Sequence, residues 1–202
     1  MSISNAELIQ IYQMTGLGVM PITGGPAGGL VPPIAQTIPF AAFNTVVAAS
    51  TGVMSLTAIH IPAGQTISNI NFLSGSTAES GGSHLWFALY DDGRNSTTAS
   101  QLALLRQTPD QTGAAAFGAT TNLGLTLTSP YTTTYSGIYY IAFMCVGTLP
   151  TLVASTHQVT TFRITPGGTT MSFTAGSALT NAAPNPCGAI TGNANMFYAY
   201  VS

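Results

Sequence analysis

The stretch GSHLWFALYDDGRN, Gly82–Asn95, decides the fold. In an extended chain successive side chains point to opposite faces, so Leu85, Phe87 and Leu89 share one face and Trp86, Ala88 and Tyr90 the other. Both faces are apolar. The closing DDGRN is a turn signal, with Asp and Gly where positive φ is wanted. The same double-sided pattern recurs in GIYYIAFMCVG, Gly137–Gly147, where Tyr139, Ile141 and Phe143 alternate with Ile138, Tyr140 and Met144. A strand of an isolated sandwich shows one solvated face. The second face is therefore covered within the chain or by a neighbouring subunit. The expectation is a homo-oligomer whose contact is formed by Trp86, Tyr90, Tyr140 and Met144.

Around these two runs the pattern is that of short strands and turns. VMSLTAIHIP and TISNINFL flank PAG, a hairpin or tight corner built on Pro62 and Gly64. TNLGLTLTSP alternates Leu123, Leu125 and Leu127 against Gly124, Thr126 and Thr128, the signature of a strand with one buried face. QLALLRQ reads as helix or strand, and TFRI, MSF and NMFYAYVS are later strand candidates. Many short strands separated by Gly, Pro, Asn and Ser predict an all-β fold, a jelly-roll-like β-sandwich over residues 40–202.

Residues 1–39 read differently. Ser4 to Glu7 fits a capping box and Gly16 a C-terminal cap, which predicts a short helix over about 5–14. From Gly16 to Pro39 the chain is dense in Gly and Pro yet too apolar for a solvated linker, so it reads as an extended arm lying along another surface. Leu8, Ile9, Ile11 and Tyr12 of the helix, with Leu17, Val19, Met20 and Ile22 of the arm, are the candidate anchoring residues.

Composition narrows the partners. Only 4% of the 202 residues are charged, the net charge is −2 and there is no lysine. Without a basic footprint, nucleic acid is not an expected partner. The N-terminus has no basic-then-apolar leader pattern, and no apolar run approaches a membrane span, so neither secretion nor membrane insertion is expected. A surface this poor in charge has little to hold monomers apart, which again argues for assembly.

Chemistry is sparse. Asp91 and Asp92 are sequential, so in an extended chain their side chains diverge, whereas a glycosidase needs two facing carboxyls; a local turn is the preferred reading. Glu7, Glu79 and Asp110 are the only other acids. His60, His84 and His157 are scattered without ligand spacing, so no metal is expected, and no phosphate-cradling or nucleophile motif calls for a cofactor. Trp86, Tyr90 and Tyr139 offer either a sugar platform or core or subunit packing, and packing is favoured because they sit inside apolar strands. Cys145 and Cys187 lie far apart without paired spacing; Cys145, inside an apolar strand run, reads as a free buried thiol, with one disulfide left open. Asn95 opens an N-x-T sequon, read as chance. No enzymatic activity is expected.

The segments LTAIHIPAGQTISNINFLSGSTA, GGSHLWFALYDDGRN and LTLTSPYTTTYSGIYYIAFMCVGTLPTL, with the closing YAYVS, resemble a β-rich virion module of tailed phages that infect actinobacteria. The resemblance covers roughly Leu56 to Leu152 and the C-terminus. It implies a structural role as a capsid decoration protein, a short head fibre or a minor tail protein. Its partner would be the major capsid protein or another virion protein, and its place the outer surface of the head, with the tail as the alternative. Fibre and decoration proteins of this kind often form trimers, so the resemblance also implies three-fold assembly. A tail-tip adhesin recognising host envelope glycan is the second role it allows.

Overall fold

The computed structural model describes residues 33–37, 39, 42–95, 101–111, 117–156 and 171–202. The predicted helix over 5–14 and all eight candidate anchoring residues, Leu8 to Ile22, lie outside them, as does TFRI. The strands are β1 (Ala35–Gln36), β2 (Thr45–Ala48), β3 (Met54–Ile61), β4 (Thr66–Leu73), β5 (Ser80–Tyr90), β6 (Leu104–Gln107), β7 (Asn122–Thr132), β8 (Gly137–Thr148), β9 (Thr151–Thr156), β10 (Ser172–Ala175), β11 (Ile190–Gly192), β12 (Asn195–Phe197) and β13 (Ala199–Val201). QLALLRQ resolves as strand. MSF falls in β10 and NMFYAYVS divides between β12 and β13.

The protein is an all-β sandwich. One sheet runs β1-β13-β4-β7, a second β11-β10-β3-β8-β5-β6, and a small third β12-β9-β2. Every pairing is antiparallel. Numbering β1, β3, β4, β5, β6, β7, β8 and β13 from first to eighth, the facing layers read first-eighth-third-sixth and second-seventh-fourth-fifth, which is jelly-roll order. PAG is therefore a corner and not a hairpin, because β3 and β4 lie in different sheets. Gly64 there has φ +78°, a conformation that favours glycine.

The corner is tied to the turn between β7 and β8. The Thr133 hydroxyl donates to the Pro62 carbonyl at 2.7 Å and accepts from the Gln65 amide at 3.0 Å, while the Gly64 amide donates to the Thr133 carbonyl. Thr133 is buried, so each of these bonds replaces one to water that burial removed.

Between the two large sheets lies the first core. Ile59, Ile61, Leu85, Phe87, Leu89, Tyr139, Ile141, Phe143 and Cys145 of the six-stranded sheet meet Ile67, Ile70, Phe72, Leu127, Ala199 and Val201 of the four-stranded one. Phe72, Phe87 and Phe143 form its aromatic centre, with ring centroids 4.8 to 5.8 Å apart.

The second core lies on the other side of the six-stranded sheet. Met54, Leu56, Trp86, Tyr90, Tyr140, Ala142, Met144 and Phe173 are covered by a strap, residues 176–190, that brings Leu179, Ala183, Cys187 and Ile190 onto them. The strap is hydrogen-bonded down along its length. Trp86 Nε1 donates to the Thr180 carbonyl at 2.6 Å and the Tyr90 hydroxyl to the Pro184 carbonyl at 2.8 Å. The Ala183 amide donates to Gln107 Oε1, and the Cys187 amide to the Leu102 carbonyl.

Two expectations are corrected. Trp86, Tyr90, Tyr140 and Met144, expected at a subunit contact, have 0% exposure within a single chain. Their cover is the strap, whose sequence follows neither the helical nor the strand period until β11 and so carries no pattern that marks it as a lid. The domain boundary also moves. Ala35 and Gln36 pair with Val201 and Tyr200, and the Ile34 and Thr37 amides donate to the Val201 and Ala199 carbonyls, so residues 33–37 belong to the sandwich and not to the arm.

Trp86 fills the second core and holds the strap, so its removal should be costly. Trp86→Ala is expected to lower stability by about 3–5 kcal/mol, and Tyr90→Phe, which deletes one buried hydrogen bond, by about 1 kcal/mol. Urea denaturation of the two variants measures both; a loss under about 1 kcal/mol for Trp86→Ala would contradict the closed second core.

Candidate functional site at the Asp91 turn and its neighbours

Asp91 ends β5 and is fully buried. A buried carboxylate is tolerated only when donors surround it, and four do. Oδ1 accepts from the Gly93 amide at 2.8 Å and the Ala103 amide at 3.1 Å, and Oδ2 from the Asn95 amide at 2.9 Å and Asn95 Nδ2 at 2.7 Å. The Asp91 amide in turn donates to the Ala103 carbonyl. One side chain thus closes the turn and anchors the chain that returns toward β6. Gly93, at φ +94°, supplies the positive φ anticipated in DDGRN.

Asp92 points elsewhere. Its two oxygens accept from Arg94 Nε at 3.0 and 2.8 Å, and Oδ1 also accepts from the Tyr135 hydroxyl at 3.3 Å. The Arg94 guanidinium lies 4.1 Å from the Tyr135 ring centre, and Tyr135 stacks on Tyr139 at 4.7 Å. Both faces of the Tyr135 ring are therefore occupied. Burial, then the adjacent Asp92 carboxylate, raises the Tyr135 phenol well above its ordinary value. Further along the same end, Arg106 sits 5.6 Å over Tyr131. This ladder joins the Asp91 turn to the β7–β8 turn.

The remaining described acids are also engaged. Asp110 pairs with His84 Nδ1 at 2.6 Å and accepts from the Leu85 amide at 3.1 Å. With the Thr108 hydroxyl accepting from the Phe87 amide, it fastens residues 108–111 alongside β5. Glu79 is buried, donates its amide to the Phe117 carbonyl and accepts from the Phe117 amide at 3.2 Å. Glu79 also faces Cys145, whose thiol is pushed up to about 12 by burial first and the carboxylate second. Cys145 and Cys187 are both free and buried.

Several sequence expectations can now be placed. Asp91 and Asp92 do diverge, into a buried turn bracket and a surface ion pair. Trp86 and Tyr90 lie on one face of the six-stranded sheet and Tyr139 on the other, so the three rings cannot form one sugar platform. His60 is exposed, His84 is paired with Asp110, and His157 lies outside the described residues. Among the described residues no three His, Cys, Asp or Glu side chains cluster as metal ligands would. The roles of Thr133, Asp110 and Tyr135 do not stand out in the sequence. The Pro109-Asp110 turn signal is the one available clue to Asp110, whereas partners 25 or more residues away leave no local trace of their pairing.

No protein-family model matches the chain, and no curated protein matches it.

Asp91→Asn keeps the shape but replaces an acceptor oxygen with an NH2 that faces donors. It is expected to cost about 2–3 kcal/mol, while Asp92→Asn, at a partly exposed pair, costs under about 1 kcal/mol. The sequence alone suggests about 1 kcal/mol for both together; burial of Asp91 raises that figure. Chemical denaturation of the two single variants separates them, and equal losses would refute the bracket role.

Stability should also fall in alkali. Burial raises the Cys145 thiol from 9.0 and the Tyr198 phenol from 10.0, each to about 12, and lifts Tyr90, Tyr139 and Tyr200 in the same direction. Folded values above unfolded ones mean that the stability is intact below pH 9.0, the thiol's unperturbed value, and is lost as pH climbs toward 12. Tyrosinate absorbance and near-ultraviolet dichroism should change together across that window. Full tyrosine ionisation with dichroism intact would contradict it.

Proposed function

We propose that this chain is a non-enzymatic virion structural protein, a capsid decoration protein or short head fibre. The residues ahead of the jelly roll attach it and the sandwich faces outward. The observation that carries this reading is how its motifs are used. The PAG corner is locked by Thr133 of SPYTTTYSG, and HLWFALYD supplies the rings that hold the strap. Each described carboxylate, Glu79, Asp91, Asp92 and Asp110, is engaged by the chain's own groups. Such a module is built to be rigid and to be displayed. The phage resemblance supplies the virion setting.

The tail-tip adhesin is the second reading and differs in location. Gold-labelled antibody against the sandwich distinguishes the two on intact particles. An antibody is preferable to a C-terminal tag because the Ser202 carbonyl accepts from the Ser68 and Asn69 amides. Labelling of heads is the expected outcome; labelling confined to tail tips favours the adhesin, and unlabelled particles sink both.

The attachment role has its own test. Deleting residues 1–32, which spares β1, should leave a soluble protein with unchanged β-sheet dichroism that no longer enters particles. Normal incorporation of the truncated protein would refute the anchoring assignment.

A further inference from the structure

We propose that the strap over the second core, residues 176–190, is a hinged cover that opens as one unit while the sandwich beneath it stays folded. This inference does not depend on the virion reading.

The strap is the loop of a hairpin whose base is closed. Ala175 of β10 pairs with Ile190 of β11, so the two ends of the strap are held side by side. A loop anchored at neighbouring points lifts without pulling on either strand. Glycine stands near each end, Gly176 at φ +72° and Gly188 at φ +81°, in a region that glycine enters freely. Positions of this kind absorb the dihedral change of a hinge.

What holds the strap down is confined to one side of the molecule. Besides its ties to Trp86, Tyr90, Gln107 and Leu102, the Leu179 amide donates to the Gly52 carbonyl at 2.9 Å, and Asn185 Oδ1 accepts from the Leu104 amide at 3.2 Å. Among the described residues all these partners lie in the six-stranded sheet or in the chain flanking it, and no strap residue enters the first core. Lifting the strap therefore breaks no ladder of the two facing layers and leaves the Phe72, Phe87, Phe143 centre untouched.

The strap contributes little of its own to closure. Of its side chains only those of Ala183 and Cys187 are buried, and the larger Leu179 and Ile190 stay half-buried. Its ties are scattered contacts, with no ladder to make them support one another before β11. Closure also holds Ala178 at φ +51°, where a side chain crowds the following carbonyl, and opening relieves that crowding. Against it stands exposure of the rings beneath, so the closed form is the resting state. Segments with few buried contacts open at a fraction of the free energy of global unfolding. Once the strap lifts, an intact sandwich displays Trp86, Tyr90, Tyr140 and Met144, so the aromatic face has a concealed and a displayed state.

The two thiols report separately on the two cores. Cys187 belongs to the strap and the second core, Cys145 to the first, and both are buried. The full-length chain is treated with N-ethylmaleimide in native buffer and at low urea, and mass spectrometry of its peptides reads each cysteine, with rates normalised to those of the unfolded chain. Cys187 is expected to label about tenfold or more faster than Cys145, with a shallower dependence on urea because its opening exposes less surface. Ile70→Val, which trims the first core from the far sheet, should speed Cys145 labelling several-fold and leave Cys187 unchanged. Trp86→Phe removes the tie at Thr180, far along the strap from Cys187, and should speed Cys187 labelling because the strap moves as a unit. Should that variant fail to fold, Tyr90→Phe, which frees the Pro184 carbonyl, takes its place. Equal normalised rates, or a Cys187 that Ile70→Val accelerates as much as Cys145, overturn the proposal, since the strap then opens only with the whole domain. So does a Cys187 rate that the ring variant leaves unchanged, which marks fraying around Cys187 alone.

Discussion

A β-sheet that is apolar on both faces must be covered twice, and this requirement organises the molecule. The six-stranded sheet sends Phe87, Ile141 and Phe143 to one side and Trp86, Tyr140 and Met144 to the other. The first side is met by a second sheet, as in any sandwich. The second is met by a strap with almost no regular structure, fixed by the polar tips of the rings it covers. Trp86 and Tyr90 suit that task because each combines a large apolar body with a donor at its edge. Their hydrogen bonds to strap carbonyls satisfy groups that burial would otherwise leave without partners.

Scarcity of charge sets the second theme. With few carboxylates available, the fold uses those described as internal ties. Asp91 gathers four donors at a turn, Glu79 pairs with Phe117, and Asp110 holds a segment beside β5. Among the described carboxylates Asp92 alone makes an exposed ion pair, the kind worth least to stability. Polar contacts elsewhere come from hydroxyls and amides, as where Asn122 donates to the Tyr200 hydroxyl and Thr126 to Asn69. Such a surface is polar yet nearly neutral.

Legibility in the sequence follows the range of the interaction. Alternation along Leu85–Tyr90 and Ile138–Met144 is written in adjacent letters, so strands, their two faces and the turn after Tyr90 are read directly. The PAG corner is recognisable as a break, but whether it folds β4 back beside β3 or across to the other layer rests on partners far along the chain, β7 and β13 beside β4 and Thr133 at the corner. Residues 33–37 read with the arm because Gly and Pro dominate their neighbourhood, whereas Ala35 and Gln36 are strand because β13 offers them an edge. The strap escapes sequence reading for the same reason. Its role comes from what lies beneath it, and nothing in its own order repeats.

Local order in the sequence establishes an all-β chain with a double-sided apolar sheet, a turn and not a facing pair at Asp91 and Asp92, and a buried setting for Cys145. These are consequences of period, composition and turn chemistry, which act over a few residues. What covers the aromatic face and which carboxylate is buried are settled by tertiary contacts alone. Those outcomes rest on contacts between segments tens of residues apart, and burial turns each of them from a weak local preference into a strong constraint.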